Sequence, residues 1–244
     1  MKLKVIGSNS SGNCYILDNG TEALIIEAGC KFHDVQVALE FDLKRVVGAI
    51  ITHEHGDHSK YVANLLSYGI DVYASPGTLA ALDIEKSHRS KPIKRFCHYN
   101  IGGFSIQPFD VLHDAAEPFG YIIRHKDIGK LLFLTDTVYT QYKFPELTQI
   151  VVEANYCEEI IDRKLKEDRK FLRDRIIQSH MSIQTCVELL KANDLSKVMN
   201  IVLIHLSENN SHEEQFIKKA TQATGKLVKV ASKRTEFDLS LLPY

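Results

Sequence analysis

The sequence predicts one α/β domain that spans residues 1–244. Short apolar segments of strand-like composition alternate along the chain with segments that have helical spacing. Hydrophobic residues make up 44% of the chain and charged residues 25%, as in ordinary globular proteins. A chain of 244 residues can bury a sizeable core, and its sequence contains no long linker, internal repeat or low-complexity stretch.

The first part of the chain predicts short strands and helices joined by turns. We expect strands at 2–6, 14–17, 23–26, 45–52 and 71–74, and helices at 32–40, 61–68 and 76–82. Asn19-Gly20 is typical of a hairpin turn, and proline at the first position of 76–82 favours a helix start. The small-residue segment 7–13 is expected to be a tight loop.

The second part of the chain is predicted to be rich in strands and to end with helices. We expect strands at 104–108, 120–125, 130–135, 149–153 and 198–205, and helices at 182–192 and 212–225. Residues 158–175 alternate charges in a helical pattern, which is typical of a solvated helix.

Charge and composition exclude several classes of function. The chain has 30 Lys and Arg against 31 Asp and Glu, so it lacks the basic excess typical of proteins that neutralise many nucleic-acid phosphates. No apolar run approaches the roughly 20 residues that span a bilayer, and the N-terminus lacks a signal-peptide core. The five cysteines form no CxxC pair, which predicts reduced thiols. We therefore expect a cytoplasmic protein that has no membrane association.

The segment Thr52-His53-Glu54-His55-Gly56-Asp57-His58 concentrates the groups that can bind metals. It follows a predicted strand and precedes a predicted helix, so its side chains can converge at one loop. Three imidazoles and a carboxylate within six residues are more than one tetrahedral zinc ion needs from a single loop. This excess of donors predicts two metal ions bound side by side.

This HxHxDH pattern resembles the signature of the metallo-β-lactamase-fold hydrolases. Further motifs of that family follow in the same order: His113 after a strand, Asp136 at the end of a strand, and His205 at the end of a later strand. The resemblance covers almost the whole chain and implies a four-layer αββα sandwich.

The resemblance also implies which residues bind the metals. His53, His55 and His113 would hold one ion, Asp57, His58 and His205 would hold the second, and Asp136 would bridge the two. This nitrogen and oxygen donor set suits Zn²⁺, without excluding Mn²⁺ or iron. Glu27, where the family more often has aspartate, is expected to support the ligands from behind.

Two further segments narrow the branch of the family. Ser179-His180-Met181-Ser182 resembles the His-Ser-Thr element of the tRNA 3′-processing endonucleases, and 150–155 resembles their His-Glu-Ala-Thr element, with Val152 at the histidine position. The resemblance implies that Glu153 orients His180, which contacts the phosphate or protonates the leaving oxygen. A metal-bridging hydroxide would be the nucleophile, and the expected catalytic residues are His180, Glu153 and Asp57.

The segments 7–13 and 205–210 resemble two groups of phosphodiester hydrolases. One is the YycJ-like proteins, described as single-strand exonucleases, and the other is the phage anti-Pycsar phosphodiesterases, which hydrolyse cyclic CMP and cyclic UMP. The resemblance implies a homodimer and, for a phage-encoded protein, the cytosol of the bacterial host. A glycine-rich loop with exposed amides beside a metal pair would also suit a phosphate.

The near-neutral charge and the absence of an inserted basic arm favour a cyclic mononucleotide as the substrate. Its base could stack on Tyr139, Tyr142, Tyr156 or Phe119. The alternative is a nuclease acting on single-stranded DNA or RNA, and a third choice is a non-phosphate hydrolase on the same fold. The basic stretch Lys86–Arg95 could line a nucleic-acid path, reach a substrate in a neighbouring subunit, or be a solvated loop.

Overall fold

Two seven-stranded sheets pack face to face in the computed structural model, which describes residues 1–164 and 170–241. The strands of the first sheet are β1 (Lys2–Asn9), β2 (Gly12–Asp18), β3 (Ala23–Ile26), β4 (Val46–Ile50), β5 (Val72–Ala74), β6 (Ser90–Pro92) and β14 (Glu236–Asp238). The strands of the second sheet are β7 (Tyr99–Ile101), β8 (Phe104–Asp110), β9 (Phe119–His125), β10 (Gly129–Leu134), β11 (Gln149–Glu153), β12 (Asn200–Ile204) and β13 (Val228–Val230). The first sheet pairs in the order β14-β1-β2-β3-β4-β5-β6, and the second pairs in the order β13-β12-β11-β10-β9-β8-β7.

Helices cover the outer face of each sheet. They are α1 (Phe32–Ala38), α2 (Gly56–Ser59), α3 (Val62–Ser67), α4 (Pro76–Ala81), α5 (Glu158–Lys164), α6 (Lys170–Ser179), α7 (Ile183–Lys191) and α8 (Glu213–Thr224). Helices α1, α3 and α4 share an apolar core with the first sheet, and α7 and α8 share another with the second. The predicted αββα sandwich is therefore confirmed.

The central strands are apolar on both faces because each sheet has a core on both sides. In β3, Leu24 and Ile26 point into the core between the sheets, whereas Ile25 points toward the helices. This alternation follows from the two-residue period of a strand, and it explains the continuous apolar runs in the sequence.

An ion cluster with little solvent exposure links strands β1 and β2 to the residue before β4. Lys4 Nζ lies 2.9 Å and Arg45 Nη2 lies 3.1 Å from the same carboxylate oxygen of Asp18. Burial by itself raises the pKa of Asp18, but hydrogen bonds from Lys4 and Gly20 and the charges of Lys4 and Arg45 outweigh it. The pKa of Asp18 is therefore held below its ordinary value.

Parallel pairing brings the residues that were predicted to bind metal to one edge of the sandwich. Strand β3 runs parallel to β4, and β10, β11 and β12 run parallel to one another. The carboxyl ends of parallel strands meet at the same edge of a sheet, and functional groups collect there. The segments that follow β4, β10 and β12 accordingly carry the histidines and aspartates predicted to bind metal.

The structure differs from the sequence-based expectations in three places. Segment 7–13 was predicted to be a tight loop, but most of it is strand, because β1 continues to Asn9 and pairs with β2 as a hairpin that has a bulge after Val5. The three-residue strands β6, β7, β13 and β14 were not predicted, although β5, which is equally short, was predicted within segment 71–74. The charged segment 158–175 contains α5 and the start of α6, and its residues 165–169 lie outside the described residues.

Within the described residues, no helix is both long enough and apolar enough to cross a membrane.

Candidate metal centre and active site

The loop after β4 supplies three of the converging histidines. Residues 51–55 leave the strand, and the short helix α2 begins at Gly56, so His53, His55 and His58 lie in a single turn of chain. His53 and His58 are buried, whereas His55 is half-buried. The sequence predicted this strand-to-helix loop, and the structure confirms it.

A first cluster consists of His53, His55 and His113. One ring nitrogen from each lies within 4.8 Å of those from the other two. His55 Nδ1 and His113 Nε2 face each other at 3.1 Å, and the other nitrogen of His113 donates to the carbonyl oxygen of Ser179 at 3.1 Å. A backbone acceptor of this kind fixes the ring of a metal-binding histidine and selects its tautomer.

A second cluster consists of Asp57, His58, Asp136 and His205. His58 Nε2 and His205 Nε2 each lie 3.3 Å from Asp57 Oδ2. His58 Nε2 also lies 2.7 Å from Asp136 Oδ2. All the sequence-predicted metal residues therefore belong to one of two adjacent clusters.

Asp136 lies between the two clusters. Its Oδ2 atom is 3.4 Å from His53 Nε2 in the first cluster, and its Oδ1 atom is 3.1 Å from His205 Nδ1 in the second. Asp136 and His205 follow β10 and β12 with left-handed backbone angles of φ 46 and 56°, which are uncommon for residues other than glycine. Such strain is typical of functional sites, where the surrounding fold holds the conformation.

Glu27 supports the second cluster from behind, as expected. This buried residue follows β3 at φ 68°, its Oε1 atom lies 3.5 Å from His58 Nδ1, and its Oε2 atom accepts a hydrogen bond from the Thr52 amide at 3.3 Å. The longer glutamate therefore reaches the position at which an aspartate is more common in the family.

The donor set fits two divalent cations. Among the described residues, His53 Nε2 and His58 Nδ1 are buried without a hydrogen-bond partner. Burial lowers the pKa of His53 well below its ordinary value and also lowers the pKa of His113, so both imidazoles are neutral, which is the metal-binding form. Burial acts to raise the pKa of Asp136, but His205 and His58 outweigh it and keep this carboxylate ionised. Burial also acts to lower the pKa values of His58 and His205, but Asp136 and neighbouring carboxylates outweigh it and raise them, to about 9 for His205, so these protons would be lost when cations bind. Imidazoles next to buried carboxylates match the preferences of Zn²⁺ and Mn²⁺.

Glu153 and His180 form a third group next to the metal clusters. Glu153 ends β11, is fully buried, and its Oε1 atom accepts hydrogen bonds from His180 Nδ1 at 2.8 Å and His205 Nδ1 at 3.1 Å. Its other oxygen accepts from the amides of Thr137 at 3.2 Å and Met181 at 3.4 Å. This buried carboxylate therefore has partners on both oxygens, and it orients one expected metal ligand and the expected acid together.

His180 carries a proton that it can donate. Burial acts to lower its pKa, but the carboxylates of Glu153 and Asp136 outweigh burial and raise the pKa of His180 to about 10. Metal cations nearby would bring this pKa down toward neutrality, where a general acid is most effective. Because Nδ1 is held by Glu153, Nε2 is the nitrogen left to face a substrate.

A cavity of about 370 Å³ opens over these groups. It is lined by Ser10, His55, Asp57, His113, Asp114, Asp136, Asn155, Leu172, Arg175, Ile176, Ser179, His180, His205 and Ser207. None of the four aromatic residues named from the sequence lines it: Phe119 and Tyr156 are buried in apolar clusters, and Tyr139 and Tyr142 lie elsewhere. Phe119 and Tyr156 are therefore too buried to receive a base, and stacking on Tyr139 or Tyr142 stays a prediction.

The site also uses two asparagines that the sequence did not single out as site residues. Asn13 Nδ2 lies 3.3 Å from Asp57 Oδ2 and 3.1 Å from His58 Nε2, and Asn155 Nδ2 donates to the His205 carbonyl oxygen at 2.8 Å. Both asparagines end motifs that were noticed, 7–13 and 150–155. Val152 occupies the position of a histidine in the endonucleases that the motif resembles. Its side chain packs in the core under α7, so having valine rather than histidine there leaves the site intact.

Comparison with known proteins agrees with this geometry. A family model described as a β-lactamase superfamily domain matches residues 24–206. Exodeoxyribonuclease WalJ of Streptococcus pneumoniae serotype 2 is 28% identical over 229 residues, covering 87% of this chain and 84% of that protein. Exodeoxyribonuclease YycJ of Bacillus anthracis is 25% identical over 230 residues, covering 88% and 85%. The metallo-β-lactamase-fold protein YhfI of Bacillus subtilis superimposes with a TM-score of 0.74 at 12% identity, over 97% of this chain and 98% of that chain, which shows a common fold.

Proposed function

The chain belongs to the β-lactamase superfamily, and on that premise we propose that it is a metal-dependent phosphodiester hydrolase that acts on a cyclic mononucleotide. The observation that carries the proposal is the pair of His180 and Glu153 at 2.8 Å beside the metal clusters. Cleavage of a phosphodiester releases an alkoxide, which needs an acid to protonate it. An amide or a thioester releases no alkoxide, so its hydrolysis gives no reason for such an acid beside the metal clusters.

Two divalent cations held by the two clusters would supply an activated water and counter-charge for the phosphate. The first cluster, His53, His55 and His113, would hold one ion. Asp57, His58 and His205 of the second cluster would hold the other, and Asp136 of that cluster also lies next to His53 of the first. We take the ions to be Zn²⁺, with Mn²⁺ as the other choice, because the donors are imidazoles and carboxylates without cysteine.

The chain's own residues then act from two sides of the cavity. Asp57 lines the cavity and can orient an attacking water by accepting its hydrogen bond. Burial acts to raise the pKa of Asp57, but hydrogen bonds from His205 and His58 hold it well below its ordinary range, so the carboxylate stays ionised. His180 also lines the cavity, and its Nε2–H can protonate the oxygen that leaves when the P–O bond breaks. Glu153 holds His180 in the required tautomer and stabilises its charged form.

Size and charge favour a mononucleotide over a polymer. The cavity of about 370 Å³ lies in the range of small-molecule sites. The basic stretch Lys86–Arg95 does not line it, and three of its cations are paired: Arg89 and Lys91 with Asp71, and Arg95 with Asp110. These pairs support the solvated-loop interpretation of the stretch and leave little positive charge for a nucleic-acid path.

The substrates we propose are cyclic CMP and cyclic UMP, as in the phage anti-Pycsar phosphodiesterases that the motifs resemble. A phage-encoded enzyme of this kind would act in the cytosol of its bacterial host. The homodimer remains a prediction, and the exposed apolar side chains Val37, Phe41 and Tyr68 around α1 and α3 are consistent with it. Light scattering on the purified protein measures the oligomeric state.

A panel of substrates tests the proposal. The purified protein is loaded with Zn²⁺ or Mn²⁺ and incubated with the four common 3′,5′-cyclic mononucleotides and with end-labelled single-stranded DNA and RNA. We expect linear nucleotide from one or more cyclic substrates, and a large loss of that product with His180→Ala. Cleavage of the polymers alone would overturn the choice of a cyclic mononucleotide.

A second candidate, a single-strand DNA exonuclease, is favoured by one specific observation. The two similar proteins that match over 87% and 88% of the chain are named exodeoxyribonucleases. The same panel separates the candidates, because an exonuclease shortens labelled DNA stepwise and leaves cyclic mononucleotides intact.

A further inference from the structure

Helix α6 presents one face to the cavity above the metal clusters. Leu172, Arg175, Ile176 and Ser179 line that cavity, and their spacing of i, i+3, i+4 and i+7 places them on a single helical stripe. None of these four residues was predicted from the sequence to take part in the site.

The next face of the same helix lines an adjoining groove. This groove has a volume of about 880 Å³ and is lined by Val111, Leu112, His113, Asp114, Phe171, Asp174, Arg175, Gln178 and Ser179. His113, Asp114, Arg175 and Ser179 line both depressions, so they mark the passage from the cavity into the groove, and Arg175 is the one cation among them whose charge does not depend on pH. Two large apolar side chains stand exposed in the groove, Leu112 at 71% and Phe171 at 85%.

The C-terminal end of α6 is fixed to the metal centre. The Ser179 carbonyl oxygen accepts a hydrogen bond from His113, and the His180 amide donates to Ile176 at 3.0 Å. On its other side, Arg173 donates two hydrogen bonds to Asp162 of α5, at 3.0 and 2.7 Å. The helix is therefore positioned by contacts that leave its cavity-facing stripe free for a ligand.

Arg175 is the single Lys or Arg side chain lining the cavity in the described part of the chain. It is exposed, and it forms no ion pair or hydrogen bond with the other described residues, although Arg173 beside it is paired. The histidines of the cavity are already engaged with carboxylates or with one another. A free guanidinium matches phosphate oxygens with two parallel hydrogen bonds and retains its charge at every physiological pH.

We propose that α6 is the substrate-recognition helix, with Arg175 binding the phosphate of the substrate and Phe171 and Leu112 flanking its nucleobase in the groove. The proposal rests on the proposed phosphodiesterase function and names the residues that would select a nucleotide. A phosphate held at the metal clusters lies within the cavity that Arg175 lines, and a base attached to it can extend into the groove past Arg175. Exposed aromatic and aliphatic side chains favour such a base, since every base has an apolar face.

Steady-state kinetics with matched variants test this assignment. Arg175→Ala should raise KM for a cyclic nucleotide on the order of 10- to 100-fold, with a much smaller change in kcat, because a charge-assisted hydrogen bond to substrate is lost. Arg175→Lys should recover part of the loss, because it restores the charge without the planar fork. Arg163→Ala is the control, since Arg163 is an exposed arginine of the neighbouring helix α5 that lines neither depression.

The role of Phe171 in binding the base is tested by comparing substrates with and without a base. Phe171→Ala should raise KM for cyclic nucleotides and leave unchanged the KM for ribose 3′,5′-cyclic phosphate, which has no base. Equal KM values for Arg175→Ala and Arg163→Ala would overturn the role of Arg175, and equal effects of Phe171→Ala on both substrates would overturn that of Phe171.

Failure of the proposed function would be visible separately. Wild-type protein loaded with Zn²⁺ should hydrolyse bis(p-nitrophenyl) phosphate, and no hydrolysis of this general phosphodiester would reject the proposed function itself. Equilibrium binding of a fluorescent cyclic nucleotide to the same protein then tests, without relying on catalysis, whether α6 recognises the substrate. Weaker binding by Arg175→Ala than by Arg163→Ala supports the recognition helix, and equal or absent binding in both overturns it.

Discussion

Replacing His180 by alanine tests the assignment of the general acid most directly. The His180 side chain is 23% exposed at the cavity, and its Nδ1 atom is held 2.8 Å from Glu153 Oε1. Its removal leaves the buried carboxylate with three hydrogen bonds, from His205, Thr137 and Met181. We therefore expect the variant to fold and to retain its metal ions.

The size of the effect depends on the leaving group. A positioned general acid contributes about 10²- to 10⁴-fold, which corresponds to about 3–5 kcal/mol of the barrier. A ribose oxygen leaves as a strongly basic alkoxide and needs the full contribution. A p-nitrophenolate is a stable anion and leaves without a proton, so its release should slow by no more than about tenfold.

The assay compares kcat of wild type and His180→Ala on a cyclic mononucleotide and on bis(p-nitrophenyl) phosphate, with metal content and thermal unfolding as controls. Glu153→Gln provides an intermediate case. Its amide oxygen can still accept from His180, but the negative charge that favours the protonated imidazole is lost, so we expect a smaller loss with the same dependence on leaving group. An equal fall on both substrates would refute acid catalysis by His180 and indicate a role in binding.

Three further predictions concern the metal centre and the fold. Asp136→Ala should reduce hydrolysis to background and lower the metal content from about two ions per chain, because the carboxylate that contacts both clusters is lost. Plasma mass spectrometry measures the metal content. Near-normal turnover would mean that the metal site is wrongly placed. Asp18→Asn should lower the free energy of unfolding at pH 7 by about 3 kcal/mol in urea titrations, since the buried Lys4 and the half-buried Arg45 lose their charged partner. Because the pKa of Asp18 is lowered in the folded state, the stabilisation from its carboxylate is full above the ordinary carboxyl pKa of about 4 and is lost as the pH falls through the folded-state pKa. The difference in free energy of unfolding between wild type and Asp18→Asn should therefore become smaller in acid. Gly29→Ala should lower the unfolding temperature, because the added Cβ would lie 1.7 Å from the backbone oxygen of Asp57, whereas Gly56→Ala, with nothing within 4 Å of its Cβ, should leave it unchanged.

The order of the motifs predicted which residues belong to the site, because each motif is local. A histidine or aspartate directly after a buried apolar strand is visible in the sequence as a change from continuous apolar residues to polar ones. His53, Asp136 and His205 all have this signature. Strand β11 was also predicted with its correct bounds, since five successive residues are buried on both faces.

Other parts of the site depend on contacts between distant segments and left little local signal. Arg175 belongs to a charged stretch that is typical of a solvated helix, and its place over the cavity follows from the anchoring of α6 by His113, which lies 66 residues from Ser179. The glycine-rich segment 7–13 suggested exposed amides for a phosphate. In the fold it is a strand hairpin whose contribution is made by side chains, with Ser8 Oγ accepting from the His205 amide at 3.0 Å.

By itself, the sequence predicted an α/β domain and a two-metal loop at residues 52–58, from short-range periodicity and from the density of donor side chains in one segment. The αββα arrangement, the two sets of metal-binding residues, the bridging position of Asp136 and the partnership of Glu153 with His180 were implied by the resemblance of its ordered motifs to a known family. The tertiary structure alone decided that Glu153 holds His205 as well as His180 and that α6 forms the wall of the cavity. The physical reason is that these contacts bring together the ends of β11 and β12 and the C-terminal end of α6, and the distances between such ends are set by sheet pairing and helix packing rather than by neighbouring residues.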